Sequence, residues 1–409
     1  SMNKSFPSKI LVILENFEYG GTTTHLINLM SSSQFKNKSF TIITNYNNKA
    51  TKQILKFCKN KNIELIYFNS LNEILFKNLV LKVILNLIKP FLFLISIFQM
   101  VSLLKKLDFD LMLADCGGYG NFRTEVASII AGKILRKKNM FLLIHHCYSK
   151  PFFWSNLINL ISSFIGKYLS GIIFVSKATK KSIQKNTKLL SYFVGHSKVI
   201  HNGIYLKKIK KKKLKIFNKS KRFLILGMLS RIEEYKGQQD LIEAFNELPT
   251  KFKNKYRIYF VGNGKRPEVL KLEAKIKNYK LSKFCKRIDY LQTDSLTILN
   301  NFDIFYSLTR DFEGFGYSIA ESLYTSVPVV STNVGGIPEY LNNKNSTLVK
   351  PSDIAAITES LKNFVIRKKI FTEKSKKGKK MIIKKYNSDF MSKKYFEYFF
   401  KSANLSDQT

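Results

Sequence analysis

One stretch, residues 308–323, most restricts the folds that are open to this chain. It reads Leu-Thr-Arg-Asp-Phe-Glu-Gly-Phe-Gly-Tyr-Ser-Ile-Ala-Glu-Ser-Leu and follows an apolar run, 302–308, that is typical of a buried strand. The glycine turn leads into a short predicted helix, and the apolar run 327–331 predicts the next strand. The first N–H groups of a helix lack helical partners, and its dipole adds about half a positive charge there. The stretch therefore predicts a strand–turn–helix unit with an anion-binding loop.

Two glutamates frame the glycine turn, Glu313 before it and Glu321 in the predicted helix. Acids at this spacing are common on helices, but here they enclose Gly-Phe-Gly, and Pro-Val-Val-Ser-Thr-Asn-Val-Gly-Gly-Ile-Pro-Glu follows at 328–339. Together these segments resemble the signature of the retaining family 4 glycosyltransferases (glycosyl transferases group 1, GT-B fold). The resemblance is to the type that makes bacterial cell-surface polysaccharide and lipopolysaccharide.

The resemblance implies a role for each residue of the turn. Glu313 would bind the hydroxyls of the transferred sugar at the catalytic centre, and Glu321 would bind the ribose of the donor. The remaining donor-binding residues of the turn would be Gly314, Phe315 and Gly316. Without the resemblance, Ser318 and Glu321 fit a helix capping box, and Gly335 with Gly336 fits a plain turn.

A cationic pair follows the first predicted strand of the second half. That strand ends in Arg231, and Lys236 comes shortly after it. In family 4 enzymes an arginine and a lysine at these places grip the donor diphosphate, whose charge grows as it departs, and fixed cations stabilise such charge. The alternative is a surface pair without a ligand. After the next strand, Gly262 and Asn263 resemble the family's nucleotide-side loop, which often has an acid in place of the asparagine.

The first half begins with a similar arrangement. The apolar run 9–14 predicts a buried parallel strand, and Gly20 and Gly21 precede a predicted helix at 22–30. In the family, these two glycines would let the backbone approach the donor phosphates. An ordinary turn between strand and helix is the alternative. His25, within the helix, is expected to pack or cap rather than to catalyse.

Two adjacent histidines follow the predicted strand 140–144. In the family a histidine after this strand touches the transferred sugar, and His145 matches its position better than His146. Neighbouring residues of a strand point to opposite faces, so only one of the two can face a ligand. The family usually has an acid directly after the histidine, where this chain has His146. The preceding strand, 108–115, resembles the one on the acceptor side of the family.

The most apolar segment spans residues 71–104. Its length approaches the roughly 20 residues that cross a membrane, but Lys77, Lys82 and Lys89 interrupt it and Pro90 is expected to break it. A pair of helices is predicted, one of them apolar-faced and flanked by lysines. Such a helix can lie in the plane of a membrane interface. A buried core helix and a true membrane span are the alternatives.

The charge of the chain is extreme. Lys and Arg number 69 against 28 Asp and Glu, which gives a net charge of +41 over 409 residues. Such a surface attracts polyanions, and since no nucleic-acid-binding motif is recognised, an anionic membrane surface is the expected partner. Four scattered cysteines suit a reducing compartment. The polar start of the chain predicts no signal peptide, so a cytoplasmic protein at the inner face of the cytoplasmic membrane is expected.

Strands alternate with helices in both halves of the chain, which predicts an α/β fold with parallel sheets. With the resemblance, this implies GT-B architecture: two Rossmann-like domains facing across a cleft. The predicted parts are an acceptor-binding domain, a basic linker, a nucleotide-sugar-binding domain and a helix returning to the first domain, at 1–205, 206–221, 222–380 and 381–409.

The resemblance implies a retaining, metal-independent hexosyltransferase without a cofactor. It would move a sugar from a nucleoside diphosphate sugar, with UDP favoured, to a hydroxyl of a lipid-linked or lipopolysaccharide glycan. The departing phosphate would take the acceptor's proton. Two alternatives stay open: a nucleotide-sugar epimerase on a similar scaffold, and an inactive basic scaffold that binds membrane or nucleic acid.

Overall fold

The chain forms two compact units. A computed structural model describes its residues 7–15, 20–44, 49–57, 63–68, 79–151, 153–209, 212–218, 222–290 and 293–405. Unit 1 consists of Ser1–Tyr205 together with Ser388–Thr409, and unit 2 of Leu206–Asn387. Each unit is built on one parallel sheet flanked by helices, so the prediction of two Rossmann-like α/β domains is confirmed.

The sheet of unit 1 has seven strands in the order β3-β2-β1-β4-β5-β6-β7. The strands are β1 (Lys9–Leu14), β2 (Ser39–Thr44), β3 (Ile63–Tyr67), β4 (Leu111–Cys116), β5 (Met140–Ile144), β6 (Gly171–Phe174) and β7 (Lys198–Val199). The helices are α1 (Gly21–Ser31), α2 (Lys49–Phe57), α3 (Leu79–Lys105), α4 (Thr124–Ile134), α5 (Ser155–Gly166), α6 (Lys177–Asn186) and, from the C-terminal segment, α14 (Ser388–Leu405). The central strands β4 and β5 are buried at every position, because helices cover both faces of the sheet.

The sheet of unit 2 has six strands in the order β10-β9-β8-β11-β12-β13. The strands are β8 (Leu224–Leu229), β9 (Tyr256–Val261), β10 (Cys285–Ile288), β11 (Ile304–Ser307), β12 (Val329–Thr332) and β13 (Thr347–Val349). The helices are α7 (Gln238–Glu247), α8 (Thr250–Lys253), α9 (Arg266–Asn278), α10 (Ser295–Leu299), α11 (Tyr317–Tyr324), α12 (Ile354–Ile366) and α13 (Lys368–Lys385). All the strand pairs are parallel.

Helix α3 corrects the predicted break at Pro90. Over the described part of the predicted segment the chain is one helix that continues through Pro90. Proline has no N–H, so the carbonyl of Asn86, four residues earlier, loses its helical partner. The indole Nε1 of Trp154 donates to that carbonyl at 2.9 Å. The helix therefore continues because a distant side chain satisfies the exposed carbonyl. Residues 71–78 of the predicted segment lie outside the described residues.

The faces of α3 differ in their surroundings. The buried face packs against α4 and the sheet, and includes Leu85, Phe93, Ile97, Met100 and Leu104. The exposed face, which we call the apolar stripe of α3, consists of Ile84, Leu87, Ile88, Phe91, Leu94, Ile95 and Phe98. By length and composition alone, Val83–Lys105 could cross a membrane, a property that core helices of soluble proteins share.

The described part of the predicted linker, 206–221, belongs to unit 2 and packs on it. The backbone N–H of Leu214 donates to Oδ1 of Asn301 at 3.0 Å, and Phe217 is fully buried with its ring 5.1 Å from that of Tyr259. In the sequence, Leu214 and Phe217 are surrounded by lysines, so their contacts with unit 2 were not expected. Part of the predicted linker lies outside the described residues, at 210–211 and 219–221.

The C-terminal helix begins at Ser388, later than the predicted 381, because α13 continues to Lys385. It belongs to unit 1, where Tyr395, Tyr398 and Phe399 enter the same core as β1 and α1. The hydroxyl of Tyr398 accepts from the backbone N–H of Ile172 in β6 at 3.0 Å. One face of the unit 1 sheet is thus closed by the last helix of the chain.

Candidate functional site

The strand order of the unit 2 sheet reverses between β8 and β11. Ligands of open parallel sheets bind beside such a reversal, at the carboxyl ends of the strands. The loop after β8 carries Arg231 and Lys236, and the loop after β11 carries Glu313 and Gly316. These four predicted site residues therefore lie on the two loops at the reversal.

Lys236 and Glu313 form an ion pair that joins these loops. The Lys236 Nζ lies 2.8 Å from the Glu313 Oε2, and both side chains are mostly buried. Burial by itself would lower the pKa of Lys236, but the Glu313 carboxylate outweighs it and holds this pKa above its usual range. The ammonium therefore keeps its charge in a partly desolvated place, where electrostatic contacts are stronger than in water.

Arg231 lies directly beyond β8 and is half exposed. Its Nη1 is 2.9 Å from the carboxylate of Glu233, and its Nη2 donates to the hydroxyl of Tyr235 at 3.1 Å. A guanidinium has five N–H donors, so these contacts leave donors for a further ligand. Arg231 and Lys236 thus supply two cations from one loop.

Glycines allow the loops at the reversal to approach each other closely. Gly237 has φ 74°, and a Cβ there would lie 2.1 Å from the carbonyl oxygen of Leu308. Gly335 has φ 55°, and a Cβ there would lie 2.3 Å from the carbonyl oxygen of Glu313. The N–H of Gly336 donates to the same oxygen at 2.8 Å. The Gly335–Gly336 pair is therefore more than a plain turn, because it holds the backbone of Glu313.

Helix α11 begins after the predicted glycine turn. Gly316, with φ 76°, is its N-cap residue, and no side chain caps this end. Ser318 lies inside the helix, so the alternative of a capping box with Glu321 is not realised. The ring of Phe315 is buried and stacks on that of Tyr340 at 5.1 Å. Phe315 therefore packs in the interior, and its backbone rather than its ring lies toward the start of the helix.

Glu321 lies on α11 and is half-buried. Burial raises its pKa to about 7, and this rise is reduced by a hydrogen bond from Ser295 and by the charge of Lys207. A carboxyl group of this kind changes charge near neutral pH. It can donate or accept a hydrogen bond according to its protonation state.

Gly262 and Asn263 follow β9, next to β8. Gly262 has φ 156°, and a Cβ there would lie 1.8 Å from the carbonyl oxygen of Ser230. The side-chain oxygen of Asn263 accepts from the backbone N–H of Tyr290 at 3.1 Å. These residues hold the loops after β8, β9 and β10 together, and they line the same edge of the sheet as Arg231.

In unit 1 a buried cluster surrounds His145. Its Nε2 is 2.7 Å from Oδ1 of Asp115, at the end of β4. His25, in α1, has its Nδ1 3.8 Å from the other Asp115 oxygen, too far for a hydrogen bond, and its Nε2 3.1 Å from the hydroxyl of Tyr395. Burial would raise the pKa of Asp115, but the contacts with His145, and more weakly with His25, hold it at about 2, so the carboxyl group is ionised.

The other predicted residues of unit 1 lie nearby in the sequence. His146 is half-buried, with its Nδ1 3.2 Å from the sulfur of Cys147. Gly20 precedes α1 with φ −159°, and a Cβ there would meet no atom within 4 Å. Local packing therefore does not require glycine at this position. The predicted phosphate contacts of Gly20 and Gly21 stay predictions.

His25, Asp115 and His145 are also residue types that bind metal ions, and their candidate ligand atoms lie within 4.8 Å of one another. Two ligands of one tetrahedral zinc ion would lie roughly 3.3 Å apart, given zinc–ligand distances of about 2.0–2.2 Å. The 2.7 Å between His145 and Asp115 is a direct hydrogen bond instead. The cluster as it stands is a hydrogen-bonded one.

Sequence reasoning missed two features of these sites. Arg310 forms a paired contact with the buried Asp240, through its Nε at 3.0 Å and its Nη2 at 2.5 Å, and so anchors the loop after β11 to α7. The cluster around Asp115 was also missed. A charged residue within an otherwise apolar strand was the available signal for the cluster, because a buried charge needs partners.

Residues 207–384 match the family described as Glycosyl transferases group 1. An uncharacterised glycosyltransferase of Methanocaldococcus jannaschii is 25% identical over 299 residues, 70% of this chain and 74% of that protein. A capsular polysaccharide biosynthesis glycosyltransferase of Staphylococcus aureus is 25% identical over 54% of this chain and 58% of its own length. The crystal structure of Anabaena HepE with UDP and glucose has the same fold, with a TM-score of 0.74 at 18% identity over 95% of this chain and 98% of that one.

Proposed function

We propose that this chain, whose residues 207–384 match the glycosyl transferases group 1 family, is a retaining glycosyltransferase that uses a nucleoside diphosphate sugar. The observation that carries the proposal is the Lys236–Glu313 pair at the strand reversal of unit 2. It places a permanently charged ammonium group next to a carboxylate. The ammonium suits the diphosphate of such a donor, and the carboxylate suits the hydroxyls of its sugar. UDP is the favoured nucleotide, in line with the UDP bound to HepE.

Each residue of the unit 2 site has a role in this proposal. Arg231 and Lys236 hold the diphosphate and stabilise its growing charge as the bond to the sugar breaks. The N–H groups after Gly316 add to this positive field. Glu313 accepts hydrogen bonds from the sugar hydroxyls, and Glu321 from the ribose. The departing phosphate takes the acceptor's proton, so that no metal ion and no separate base are needed.

Thermal unfolding with a panel of nucleoside diphosphates and their sugars tests the donor site. A ligand at about one hundred times its Kd stabilises the folded protein by roughly 2.7 kcal/mol, which a melting curve detects. We expect UDP to raise Tm, and Arg231→Ala to remove most of the rise. The control is Arg266→Ala, at an exposed arginine at the start of α9. This variant should show the same UDP-induced rise in Tm as the wild type. No shift with any nucleotide would favour the inactive scaffold.

The products distinguish the two enzyme alternatives. A transferase releases UDP in proportion to the acceptor supplied, and the anomeric configuration of the new bond, read by NMR, reports retention. An epimerase on a similar scaffold forms a new sugar without any acceptor. We expect acceptor-dependent release.

We further propose that the apolar stripe of α3 lies on an anionic membrane, which brings a lipid-linked glycan to the enzyme on the cytoplasmic face. Phe91 and Phe98 are 67% and 71% exposed, and they lie on the same face of the helix, about two turns apart. An isolated soluble domain rarely leaves such a stripe uncovered. Trp154, partly exposed, is joined to α3 through Asn86, and tryptophan favours the membrane interface. The net charge of +41 complements anionic headgroups.

Vesicle flotation tests this surface. The protein should float with phosphatidylglycerol-containing vesicles, and Phe91→Ser with Phe98→Ser should abolish flotation. The control is Ile366→Ser, which removes an apolar side chain of similar exposure, 64%, from unit 2. Equal flotation of both variants, or none of the wild type, contradicts the proposed membrane surface.

A further inference from the structure

The sheet of unit 1 also reverses its strand order, between β1 and β4. The buried cluster lies at this reversal: His25 follows β1 on α1, Asp115 is near the end of β4, and His145 follows β5. A ligand is expected at the carboxyl ends of the strands here, as in unit 2. His25 and Asp115 are fully buried and His145 is 8% exposed, so the cluster reaches the surface through His145.

We propose that Asp115, His25 and Tyr395 are positioning residues that hold His145 with its proton on Nε2 and present its Nδ1 to a hydroxyl of the glycan substrate. The identity of the substrate rests on the proposed function, and the state of the imidazole rests on the geometry. The ionised Asp115 accepts from Nε2–H at 2.7 Å, which leaves the lone pair on Nδ1. No hydrogen bond to this Nδ1 is found among the described residues, so it can accept one from a hydroxyl.

His25 and Tyr395 form the second layer of this arrangement. The buried hydroxyl of Tyr395 stays protonated, because burial raises its pKa well above the usual range. We assign this hydroxyl as the donor to Nε2 of His25 at 3.1 Å, because the other ring nitrogen then turns a proton and not a lone pair toward the ionised Asp115. The proton of His25 then lies on Nδ1, facing the free oxygen of Asp115 at 3.8 Å. The rings of His25 and His145 also meet edge to face at 4.8 Å. His145 is therefore held by its hydrogen bond to Asp115 and by the edge-to-face contact with the ring of His25.

The tautomers can be measured without any substrate. The chain has five histidines, so selective ¹⁵N labelling gives a simple spectrum in which each ring nitrogen shows whether it carries a proton. His25→Gln and His145→Gln assign the signals. We expect His145 to be protonated on Nε2 and His25 on Nδ1. A proton on Nδ1 of His145 overturns the proposal, whatever the activity of the enzyme.

Asp115→Asn gives the sharper test. An amide offers one acceptor and one donor group in place of two acceptors, so it can present its N–H to Nε2 of His145 and leave the proton of this ring on Nδ1. We expect sugar transfer to fall about tenfold or more, the cost of one lost or misdirected hydrogen bond. The UDP-induced rise in Tm should stay unchanged. The matched control is Asp108→Asn, whose exposed carboxylate contacts Lys9.

Tyr395→Phe removes only the hydroxyl from the second layer. It should change the ¹⁵N signals of His25 while leaving the proton of His145 on Nε2, with a smaller loss of transfer than Asp115→Asn. Tyr192→Phe, at an exposed ring, serves as the control. Full activity of Asp115→Asn would exclude the positioning role.

The outcomes separate this inference from the proposed function. If UDP binds and the tautomers are as expected, but no acceptor receives sugar, the transferase function fails while the arrangement of the cluster stands. Metal analysis of the purified protein decides the remaining alternative. One equivalent of zinc or another transition metal, lost in Asp115→Asn, would replace the hydrogen-bonded cluster with a metal site.

Discussion

The ammonium of Lys236 lies 2.8 Å from the carboxylate of Glu313 and joins the loops that follow β8 and β11. The pair orders the unit 2 site before a ligand arrives. Under the proposed function, a bound diphosphate would share this cation with Glu313, which would couple the residue that holds the phosphate to the residue that holds the sugar.

Replacing Lys236 with Met should weaken UDP binding by roughly tenfold or more, because a charge-assisted hydrogen bond contributes about 1.5–3 kcal/mol. Isothermal titration with UDP measures the change. Lys271→Met is the control, since that lysine, on α9, pairs with the exposed Glu234. An unchanged Kd in Lys236→Met would remove this lysine from the donor site.

Glu321 should make stability depend on pH near neutrality. Its pKa in the folded protein is raised to about 7, so between its ordinary value and 7 the folded state holds a proton that the unfolded chain has released. The free energy of unfolding therefore falls as the pH rises through this window. Glu321→Gln removes this effect, and its Tm relative to the wild type should increase from pH 5 to pH 8. A constant difference would contradict the raised pKa.

The same carboxyl group predicts pH-dependent binding of UDP. If the ribose hydroxyls donate to Glu321, the ionised form binds them more strongly, because a carboxylate is a better acceptor than a carboxylic acid. Affinity should therefore rise as the pH increases through about 7. In Glu321→Gln the pH dependence should disappear in this range. Titration calorimetry at several pH values gives both curves, and parallel curves would show that Glu321 does not bind the ligand.

Gly335→Ala should destabilise unit 2 by about 1–3 kcal/mol for the left-handed backbone alone. Its φ of 55° is strained for alanine, and the new Cβ would lie 2.3 Å from the carbonyl oxygen of Glu313. Urea unfolding measures the loss, and weaker UDP binding should accompany it because Glu313 is displaced. In the control, Gly117→Ala, the Cβ would lie 3.5 Å from a methyl of Thr22, an ordinary contact. Equal stability of both variants would be the contrary result.

Truncation of a side chain should lower the free energy of unfolding on the buried face of α3 and leave it nearly unchanged on the exposed face. Replacing Phe93, which is buried beside Phe122, with Ala should lower the free energy of unfolding by about 3–5 kcal/mol. Phe91→Ala and Phe98→Ala should each change the free energy of unfolding by less than about 0.5 kcal/mol, since both rings are exposed. A large loss at Phe98 would mean that the apolar stripe is covered by the protein itself.

Short sequence patterns predicted strands and glycine turns, because these depend mainly on neighbouring residues. The apolar runs predicted β1 and β5 with their observed bounds. The glycines around Glu313 were informative because close loop contacts and positive φ angles exclude other residues. The continuity of α3 through Pro90 was missed because Trp154, far along the chain, donates to the carbonyl that Pro90 leaves without a helical partner. The cluster around Asp115 was missed because its members come from four separate elements, and their proximity depends on the order of the strands.

Helix α14 has a consequence for how the protein is made. Tyr395 and its neighbours complete the core of unit 1, yet the ribosome synthesises them after all of unit 2. Domains commonly fold as they emerge, in order from the N-terminus. Here unit 2 can fold first, because the core of unit 1 is incomplete until α14 has been synthesised. A nascent chain arrested before Ser388 should therefore hold a folded second unit and an incomplete first one, with the hydroxyl that contacts His25 still absent.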